Sequence, residues 1–360
     1  MRVIISTIDY PPPPGGIQTV TKNLEKGLSE KGVEGKVIYE NTESSRYNIR
    51  DYIPRVRRLY SVKDVLNRKY VFDNYLFRKT ICEIRKKRPG VVHSMHIRGW
   101  GSILAAKKEN IPTIVSVHAK ELKNERLASR VLEEADAIHC PSNFTKNLVR
   151  GLPNGKSLQK KSYIIPPSIR KKYYEKKEYR RKVTCIARHV KRKNIEKVIE
   201  AWKVLEESMD REYNLYIVGN GPLKEKLIKL SEGVETIHFT GWIDEEEKRK
   251  LLEESDLFVL TPTQIGYDAE GFGIVYLEAQ AAGTPIVASK TGGVPEAVGE
   301  AGIFVENEMS ETEIAEGMKK VLKNNRLKSE ISKRAKKRIK NFSVKKIVQK
   351  HIEKYEKISR

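Results

Sequence analysis

The sequence predicts an α/β protein of two domains, each built on a parallel sheet covered by helices. The chain has 360 residues, and at about 150 residues per domain this length suggests two domains. Its hydrophobic content of 39% is sufficient for each domain to bury a core. Short apolar stretches alternate with helical stretches in both halves, as in sheets whose parallel strands are joined by helices.

The first half begins with a predicted strand over residues 2–8, followed by the proline- and glycine-rich turn YPPPPGG over residues 10–16. Apolar residues then recur at helical spacing: Ile17, Val20, Leu24 and Leu28. Gly32 is placed to end this helix. Further strands are predicted over residues 37–39, 90–93, 113–118 and 137–140.

The second half repeats this alternation more clearly. Strands are predicted over residues 183–187, 215–218, 236–239, 257–260, 286–288 and 303–305. The clearest helical period is formed by Ile195, Val198, Ile199, Trp202 and Leu205. Residues 166–182 begin with two prolines and continue as a charged run, which predicts a hinge between the domains. From about Ser343 a last helix carries one apolar stripe and is expected to pack on the rest of the protein.

The net charge of +23 favours an anionic partner, which could be nucleic acid, anionic lipid or a phosphorylated substrate. Residues 46–88 are the most one-sided segment, with 14 Lys and Arg against four Asp and Glu, interleaved with aromatic residues. In the second half, where both signs of charge occur, a solvated surface of a heat-adapted protein explains the composition.

Other classes of protein are not favoured by the composition. No stretch approaches the 18 apolar residues that span a bilayer, and the N-terminus lacks a secretory cleavage pattern, so a cytoplasmic protein is expected. The cysteines, Cys82, Cys140 and Cys185, form no CxxC pair and suggest neither a disulfide framework nor a zinc site.

The most informative motif is EGFGIVYLE, residues 270–278. Two glycines flank Phe272 just before a helix that is expected to start near Gly273, so free backbone N–H groups there can bind a phosphate. Glu270 lies on the loop before this helix. Glu278 lies within the helix and can accept hydrogen bonds from the vicinal hydroxyls of a ribose.

A second anion-binding feature is IARHVKRKN, in which Arg188 ends a strand and Lys193 begins a helix. Cations at the carboxyl end of a parallel strand point into the crevice where such sheets bind ligands, and both can reach one diphosphate. Glycine-rich turns at residues 219–222 and 240–244 also follow strands. Neither GxGxxG nor GxxxxGK[ST] is present, which weakens a dinucleotide site and excludes a P-loop.

Together these segments resemble the retaining glycosyltransferases of the GT-B fold, in particular family four. The motifs that carry the resemblance are PPPPGGIQTVTKNLEKGLSEKG, ADAIHCPSNFTKNLV, IARHVKRKNIEKVIEAW, VGNGPLKEKL, FTGWID, EGFGIVYLEAQAAGTPIVAS and GGVPEAV. The chain departs from the family at residues 164–168, IIPPS instead of Ile-Pro-Asn-Gly, and at Asn194, where a glycine is usual. The resemblance implies two Rossmann-like domains, residues 1–167 and 168–342, whose parallel sheets face a central cleft. A helix over 343–360 is expected to cross back to the first domain.

The resemblance also implies roles for individual residues. Arg188 and Lys193 are expected to hold the donor diphosphate, and Glu278 the ribose. Glu270 is expected to contact the donor sugar near the reacting carbon. The remaining implied contacts are the amides of Phe272, Gly273 and Ile274 on phosphate or sugar, the main chain around Ile243 at the base, Gly16 at the diphosphate, and His118 near the sugar.

The implied activity is transfer of a hexose from a UDP- or GDP-linked sugar to a hydroxyl acceptor, with retention and with neither a metal nor a cofactor. The chain contains no Asp-x-Asp, and His93 and His96, although three residues apart, have no evident partner for a metal. Arg188, Lys193 and the helix N-terminus are expected to stabilise the leaving phosphate instead.

Residues 46–88 are expected to form the acceptor side, with a lipid-linked sugar, a phospholipid or a glycan as acceptor. If they bind anionic lipid, the protein attaches peripherally to the inner face of the membrane; a soluble lobe that binds a phosphorylated or nucleic-acid ligand is the alternative. Two other functions stay open. One is a sugar-nucleotide epimerase or hydrolase on the same fold. The other, a basic nucleic-acid-binding protein, lacks a recognisable module and leaves EGFGIVYLE unexplained.

Overall fold

The computed structural model describes residues 1–8, 10–11, 15–39, 74–170, 180–209 and 212–359. These residues form two six-stranded sheets in which every pairing is parallel, with helices on their flanks. The predicted fold class is therefore confirmed. Residues 46–73 of the basic segment and residues 171–179 of the predicted hinge lie outside the described part of the chain.

The first sheet has the strand order β2-β1-β3-β4-β5-β6. Its strands are β1 Arg2–Thr7, β2 Glu34–Tyr39, β3 Val91–Ser94, β4 Thr113–Ser116, β5 Ala137–Cys140 and β6 Ser162–Ile164. The helices described with it are α1 Gly16–Glu30, α2 Asn74–Lys86, α3 Trp100–Lys108, α4 Glu125–Glu134, α5 Asn143–Arg150 and α6 Gly155–Lys160. The central strands β3, β4 and β5 are buried at every position. Strands buried on both faces are rich in apolar residues, and for this reason the sequence predicted them.

The first sheet differs from the sequence-based prediction at several points, and β2, expected over residues 37–39, begins at Glu34. The strand expected over residues 113–118 ends at Ser116: the Val117 amide makes a last bond to the His139 carbonyl of β5, and a short 3-10 turn, Ala119–Lys123, then follows. The edge strand β6 was not predicted. It has three residues, and Tyr163 and Ile164 are only half-buried, so it lacks the apolar run of a central strand.

The second sheet has the strand order β12-β11-β10-β7-β8-β9. Its strands are β7 Lys182–Ile186, β8 Asn214–Val218, β9 Ile237–Gly241, β10 Leu257–Leu260, β11 Ile286–Ser289 and β12 Gly302–Val305. The helices described with it are α7 Ile195–Glu206, α8 Lys224–Leu230, α9 Glu245–Glu254, α10 Ile274–Ala282, α11 Val294–Val298, α12 Glu311–Leu322 and α13 Asn325–Arg338.

The last helix, α14 (Val344–Ser359), packs on the first sheet although it follows the second in the chain. A Cβ on Gly27 of α1 would lie 2.5 Å from Val348 Cγ2 and 2.7 Å from Val344 Cγ1, so glycine permits this close approach. The domain boundary at 167/168 remains a prediction. No helix in the described part of the chain is long and apolar enough to cross a bilayer.

A buried histidine cluster joins α14 to the first sheet. His93 Nδ1 lies 2.8 Å from the Tyr355 hydroxyl, and His93 Nε2 lies 2.8 Å from Ser116 Oγ. The same serine oxygen is 2.7 Å from His139 Nδ1. The His351 ring lies 5.0 Å from the His139 ring, centroid to centroid, and its Nδ1 has no hydrogen-bond partner among the described residues. The end of the chain is thus held by polar groups without access to water.

This cluster predicts that acid destabilises the protein. Burial lowers the pKa of His139 to about 4, and also lowers the pKa of His93 and His351. In the unfolded chain histidine titrates near 6.5, so between pH 6.5 and 4 the unfolded state binds more protons. The free energy of unfolding should fall through this window, by about 3 kcal/mol for His139 alone.

Urea denaturation at pH 7, 6, 5 and 4 measures this effect. His351→Phe should reduce the loss of unfolding free energy on acidification. His238→Gln, which removes a histidine bonded to Asn214 outside the cluster, should leave it unchanged. Equal pH dependence in wild type and His351→Phe would contradict the prediction.

Candidate functional site

The candidate site lies where the strand order of the second sheet reverses, between β7 and β10. Ligands of open parallel sheets bind in the crevice at such a point, outside the carboxyl ends of the strands. Arg188 and Lys193 follow β7, and Glu270 follows β10. The topology therefore brings the two motifs that the sequence singled out to one crevice.

Glu270 forms the centre of this site. Its Oε2 accepts hydrogen bonds from Lys193 Nζ and, at 2.7 Å, from Arg192 Nη1. The Glu270 side chain is only 14% exposed and that of Lys193 11%. Burial raises the pKa of Glu270, but the two cations outweigh it and lower the pKa to about 2. Glu270 is therefore ionised at neutral pH.

Arg192 was not predicted as a site residue. Its Nε donates to Asp268 Oδ1 at 3.0 Å, so one guanidinium contacts both Asp268 and Glu270. Asp268 Oδ2 lies 3.6 Å from Lys120 Nζ, which belongs to the first sheet's half. The run of three cations from Lys191 to Lys193 was visible in the sequence, but the motif attached a role only to the last of them.

The loop that carries Glu270 is fixed by close backbone packing. Gly293 N donates to Glu270 O at 2.7 Å, and a Cβ on Gly293 would lie 2.2 Å from Gly271 O. Gly273 has φ +90, a left-handed conformation that favours glycine, and α10 starts at the next residue. The glycines of the motif therefore place Glu270 beside the free N–H groups of the α10 N-terminus, which suit an anion.

Glu278 is buried in α10 and also has a cationic partner. Its Oε1 accepts a hydrogen bond from Lys248 Nζ of α9 at 2.8 Å. Burial lowers the pKa of Lys248, but Glu278 and Glu245 outweigh burial and raise it. Ile243, predicted at the base, lies half-buried just before α9. Lys248 is a further residue that the sequence did not single out.

Arg188 is placed differently from Lys193. Its side chain is exposed and makes no hydrogen bond or ion pair with the described residues. The turn after β8 fixes its backbone, because a Cβ on Gly219 would lie 2.1 Å from Ala187 O and one on Gly221 would lie 2.5 Å from His189 O. Arg188 therefore lies beside the crevice, outside the cluster around Glu270.

The first half brings Gly16 and His118 to the same site. A Cβ on Gly16 would lie 3.9 Å from Ile274 Cγ2, so the starts of α1 and α10 face each other. His118 Nε2 donates to the Met95 carbonyl at 3.0 Å, and burial lowers the pKa of His118. Ala119 follows His118, and its amide nitrogen would lie 3.8 Å from a Cβ placed on Gly271. The backbone beside His118 therefore lies close to the loop that carries Glu270.

Direct hydrogen bonds join the two halves at this point. Ser142 Oγ donates to Gly271 O at 2.6 Å. Glu296 of α11 accepts from the first amides of α5, that of Asn143 at 2.8 Å and that of Phe144 at 3.0 Å. Glu296, the single acidic residue of GGVPEAV, thus caps a helix of the opposite half.

The pair His93 and His96 does not form a joint site. His93 lies in the buried cluster described above, whereas His96 Nδ1 lies 2.7 Å from Glu121 Oε2. Throughout the described ranges, no group of three or more His, Cys, Asp or Glu side chains could hold a metal ion. That the reaction needs no metal stays a prediction.

Two parallel-sheet units whose strand ends meet at one cationic crevice are the architecture of the GT-B enzymes. Residues 168–338 match the family model of glycosyl transferases group 1, and residues 14–170 match that of glycosyltransferase family 4. The chain therefore belongs to the glycosyltransferases of the GT-B fold, family four type.

Similar proteins are known from bacteria and archaea. A GDP-mannose-dependent monoacylated alpha-(1-6)-phosphatidylinositol monomannoside mannosyltransferase of Corynebacterium glutamicum is 25% identical over 340 residues, 85% of this chain and 84% of the relative. An uncharacterised glycosyltransferase of Methanocaldococcus jannaschii is 25% identical over 372 residues, 91% of each chain.

Among solved structures, Anabaena HepE in complex with UDP and glucose aligns with a TM-score of 0.72 at 15% identity, covering 98% of this chain and 99% of HepE. Sucrose-phosphate synthase from Thermosynechococcus elongatus aligns with a TM-score of 0.73 at 18% identity, covering 99% of both chains. At these identities the likeness establishes the fold.

The site geometry predicts that Glu270→Gln, Lys193→Ala and Arg188→Ala lower turnover far more than stability. Each removes one charged group at the crevice, and loss of one electrostatic contact in an active site commonly costs about 10²–10³ in rate. Sugar-transfer rates and thermal unfolding measure the two effects. Lys290→Ala, which breaks an exposed ion pair with Glu306, is the control and should change neither. Near-normal turnover in all three folded variants would refute the assigned site.

Proposed function

We propose that the protein transfers a hexose from a UDP- or GDP-linked sugar to a hydroxyl group of an acceptor, with retention of the anomeric configuration. The observation that carries this proposal is the cluster of Glu270, Lys193 and Arg192 beside the N-terminus of α10. It combines groups suited to a diphosphate with one ionised carboxylate, in a chain of the glycosyltransferase family.

The proposed donor roles are those that the resemblance to the family implies. In the proposal Lys193, Arg188 and the amides of Phe272, Gly273 and Ile274 bind the diphosphate, which Gly16 approaches from the other half. Glu278 binds the ribose, and the main chain around Ile243 faces the base. The named relative from Corynebacterium is GDP-mannose-dependent, whereas the Anabaena structure contains UDP and glucose. The proposal therefore keeps both GDP-linked and UDP-linked sugars as candidate donors.

The proposed mechanism is stabilisation of the leaving group. As the bond between sugar and diphosphate breaks, negative charge grows on the phosphate, and Lys193, Arg188 and the helix amides neutralise it without a metal or a cofactor. The acceptor hydroxyl approaches the same face of the sugar, and the departing phosphate takes its proton. The ionised Glu270 contacts the sugar near the reacting carbon, and His118 lies near the sugar as a neutral ring.

A thermal-shift panel of UDP, GDP and ADP tests the donor, followed by transfer assays with the matching nucleotide sugars. A nucleotide at about one hundred times its dissociation constant should add roughly 2.7 kcal/mol of stability, and one base should stand out. Lys193→Ala should reduce the shift, whereas Lys290→Ala should keep it. Absence of a shift with all three nucleotides would contradict the proposal. Isomerised donor, or sugar released to water when an acceptor is present, would favour the epimerase or the hydrolase.

We further propose that residues 46–88 form the acceptor side and rest on an anionic membrane. The described end of this segment includes α2, where an open groove is lined by Phe77, Arg78, Ile81, Cys82, Arg85 and Lys86. Apolar side chains among cations suit a lipid interface. The acceptor would be a lipid-linked sugar, a phospholipid or a membrane-bound glycan, and the protein would lie on the cytoplasmic face of the membrane.

Co-sedimentation with liposomes tests the membrane proposal. Binding should require anionic lipid, decrease as salt is raised, and weaken when Arg55, Arg57 and Arg58 become Ser, because each cation near an anionic surface contributes about 1 kcal/mol. Substitution of Lys333, Arg334 and Lys337 in α13 by Ser removes the same charge elsewhere and should have little effect. Equal recovery in the supernatant with and without anionic vesicles would refute membrane binding and leave glycosyl transfer untouched.

A further inference from the structure

One oxygen of Glu270, Oε2, is shared by two cations that differ in how they are held. Lys193 contacts Glu270 through a single ammonium on a flexible stem. Arg192 is held at two points, because its Nη1 donates to Glu270 Oε2 at 2.7 Å while its Nε donates to Asp268 Oδ1 at 3.0 Å. The two cations are therefore not equally free to move to a ligand.

We propose that Arg192 is a positioning residue that keeps Glu270 ionised and in place after Lys193 has moved to the donor diphosphate. This inference rests on the proposed function. It assigns different roles to two adjacent cations: Lys193 binds phosphate, and Arg192 holds Glu270.

The charges of the cluster support this division. Lys193 and Arg192 balance the carboxylates of Glu270 and Asp268, and Lys120 adds a further cation beside Asp268, so the cluster holds no unbalanced negative charge without a donor. A diphosphate brings further negative charge and attracts Lys193 away from Glu270. A buried carboxylate left beside a diphosphate without a cation would take up a proton, because burial and a like charge both favour the neutral form.

The surroundings of Arg192 hold it where it is. Its carbonyl accepts a hydrogen bond from the amide of Thr263 at 2.9 Å. Its second carboxylate partner, Asp268, is approached by Lys120 from the other half of the molecule. A planar guanidinium fixed to two carboxylates keeps its orientation when one neighbouring cation leaves.

The experiment follows the titration of the Glu270 carboxyl carbon by NMR in protein labelled at glutamate, with Glu270→Gln to identify the signal. Inorganic pyrophosphate is the probe, because it supplies the diphosphate without a base or a sugar. In wild type with pyrophosphate, Glu270 should stay ionised to well below pH 4. In wild type with pyrophosphate bound, Arg192 is the cation that remains beside Glu270. In Arg192→Met with pyrophosphate, the titration of Glu270 should therefore move up by about two pH units or more.

Binding and kinetics separate positioning from phosphate binding. Arg192→Met should change pyrophosphate affinity by less than about threefold, whereas Lys193→Met should weaken it by about tenfold or more, the effect of losing one charged hydrogen bond. In the transfer reaction Arg192→Met should lower kcat by about 10–100-fold with little change in donor KM, and shift the acid limb of the pH profile upwards. Arg192→Lys should move the acid limb part of the way back towards its position in wild type.

Arg326→Met is the matched control, because Arg326 pairs with Glu330 on the surface of α13, and it should alter none of these quantities. If Arg192→Met does not fold, Arg192→Lys, which keeps the charge but loses the two-point contact with Asp268 and Glu270, should raise the Glu270 titration in the same direction by a smaller amount. An unchanged Glu270 titration, or a loss of pyrophosphate affinity equal to that of Lys193→Met, would overturn the proposal, as would absence of pyrophosphate binding to wild type.

The proposed function can fail separately. If wild type transfers no sugar from any nucleotide sugar while the NMR titration responds to Arg192→Met as expected, the positioning role stands and glycosyl transfer by this site does not.

Discussion

The pairing of the buried carboxylate of Glu270 with Lys193 and Arg192 is the interaction on which the site depends. An unpaired carboxylate in this position would cost several kcal/mol, so the strand ends of β7 and β10 must deliver cation and anion to the same point. The order of the second sheet does this, because β7 and β10 are neighbours although about seventy residues separate them in the chain. The geometry of the crevice is thus a consequence of sheet topology and charge neutralisation together.

The backbone of the Glu270 loop is held from both halves of the molecule. Gly293 approaches Gly271 so closely that no side chain fits between them, while Ser142 from the other half bonds the Gly271 carbonyl. Glu296 caps α5 across the same boundary. Because these bonds reach the backbone of the Glu270 loop and its neighbour α11, rearrangement of the halves would act directly on the loop that carries Glu270.

The second constraint is the return of α14 to the first sheet. Its Tyr355 bonds His93, its His351 ring packs against that of His139, and its valines pack against Gly27. The first sheet's core is therefore completed by the end of the chain. Any change that releases α14 exposes unpaired histidines and apolar surface together.

The sequence by itself determined the alternation of strands and helices, since buried parallel strands are continuous apolar runs. It also singled out Glu270 and Glu278 in one motif and Lys193 in another, through their glycines and charges. It missed β6, a half-polar edge strand of three residues. It also missed Arg192, Asp268 and Lys248. Each is one charge among many in a chain with 70 Lys and Arg, and only tertiary structure decides which of them is buried beside a carboxylate. Partners such as Lys193 and Glu270 lie far apart in sequence, and electrostatic energy depends on their distance in space.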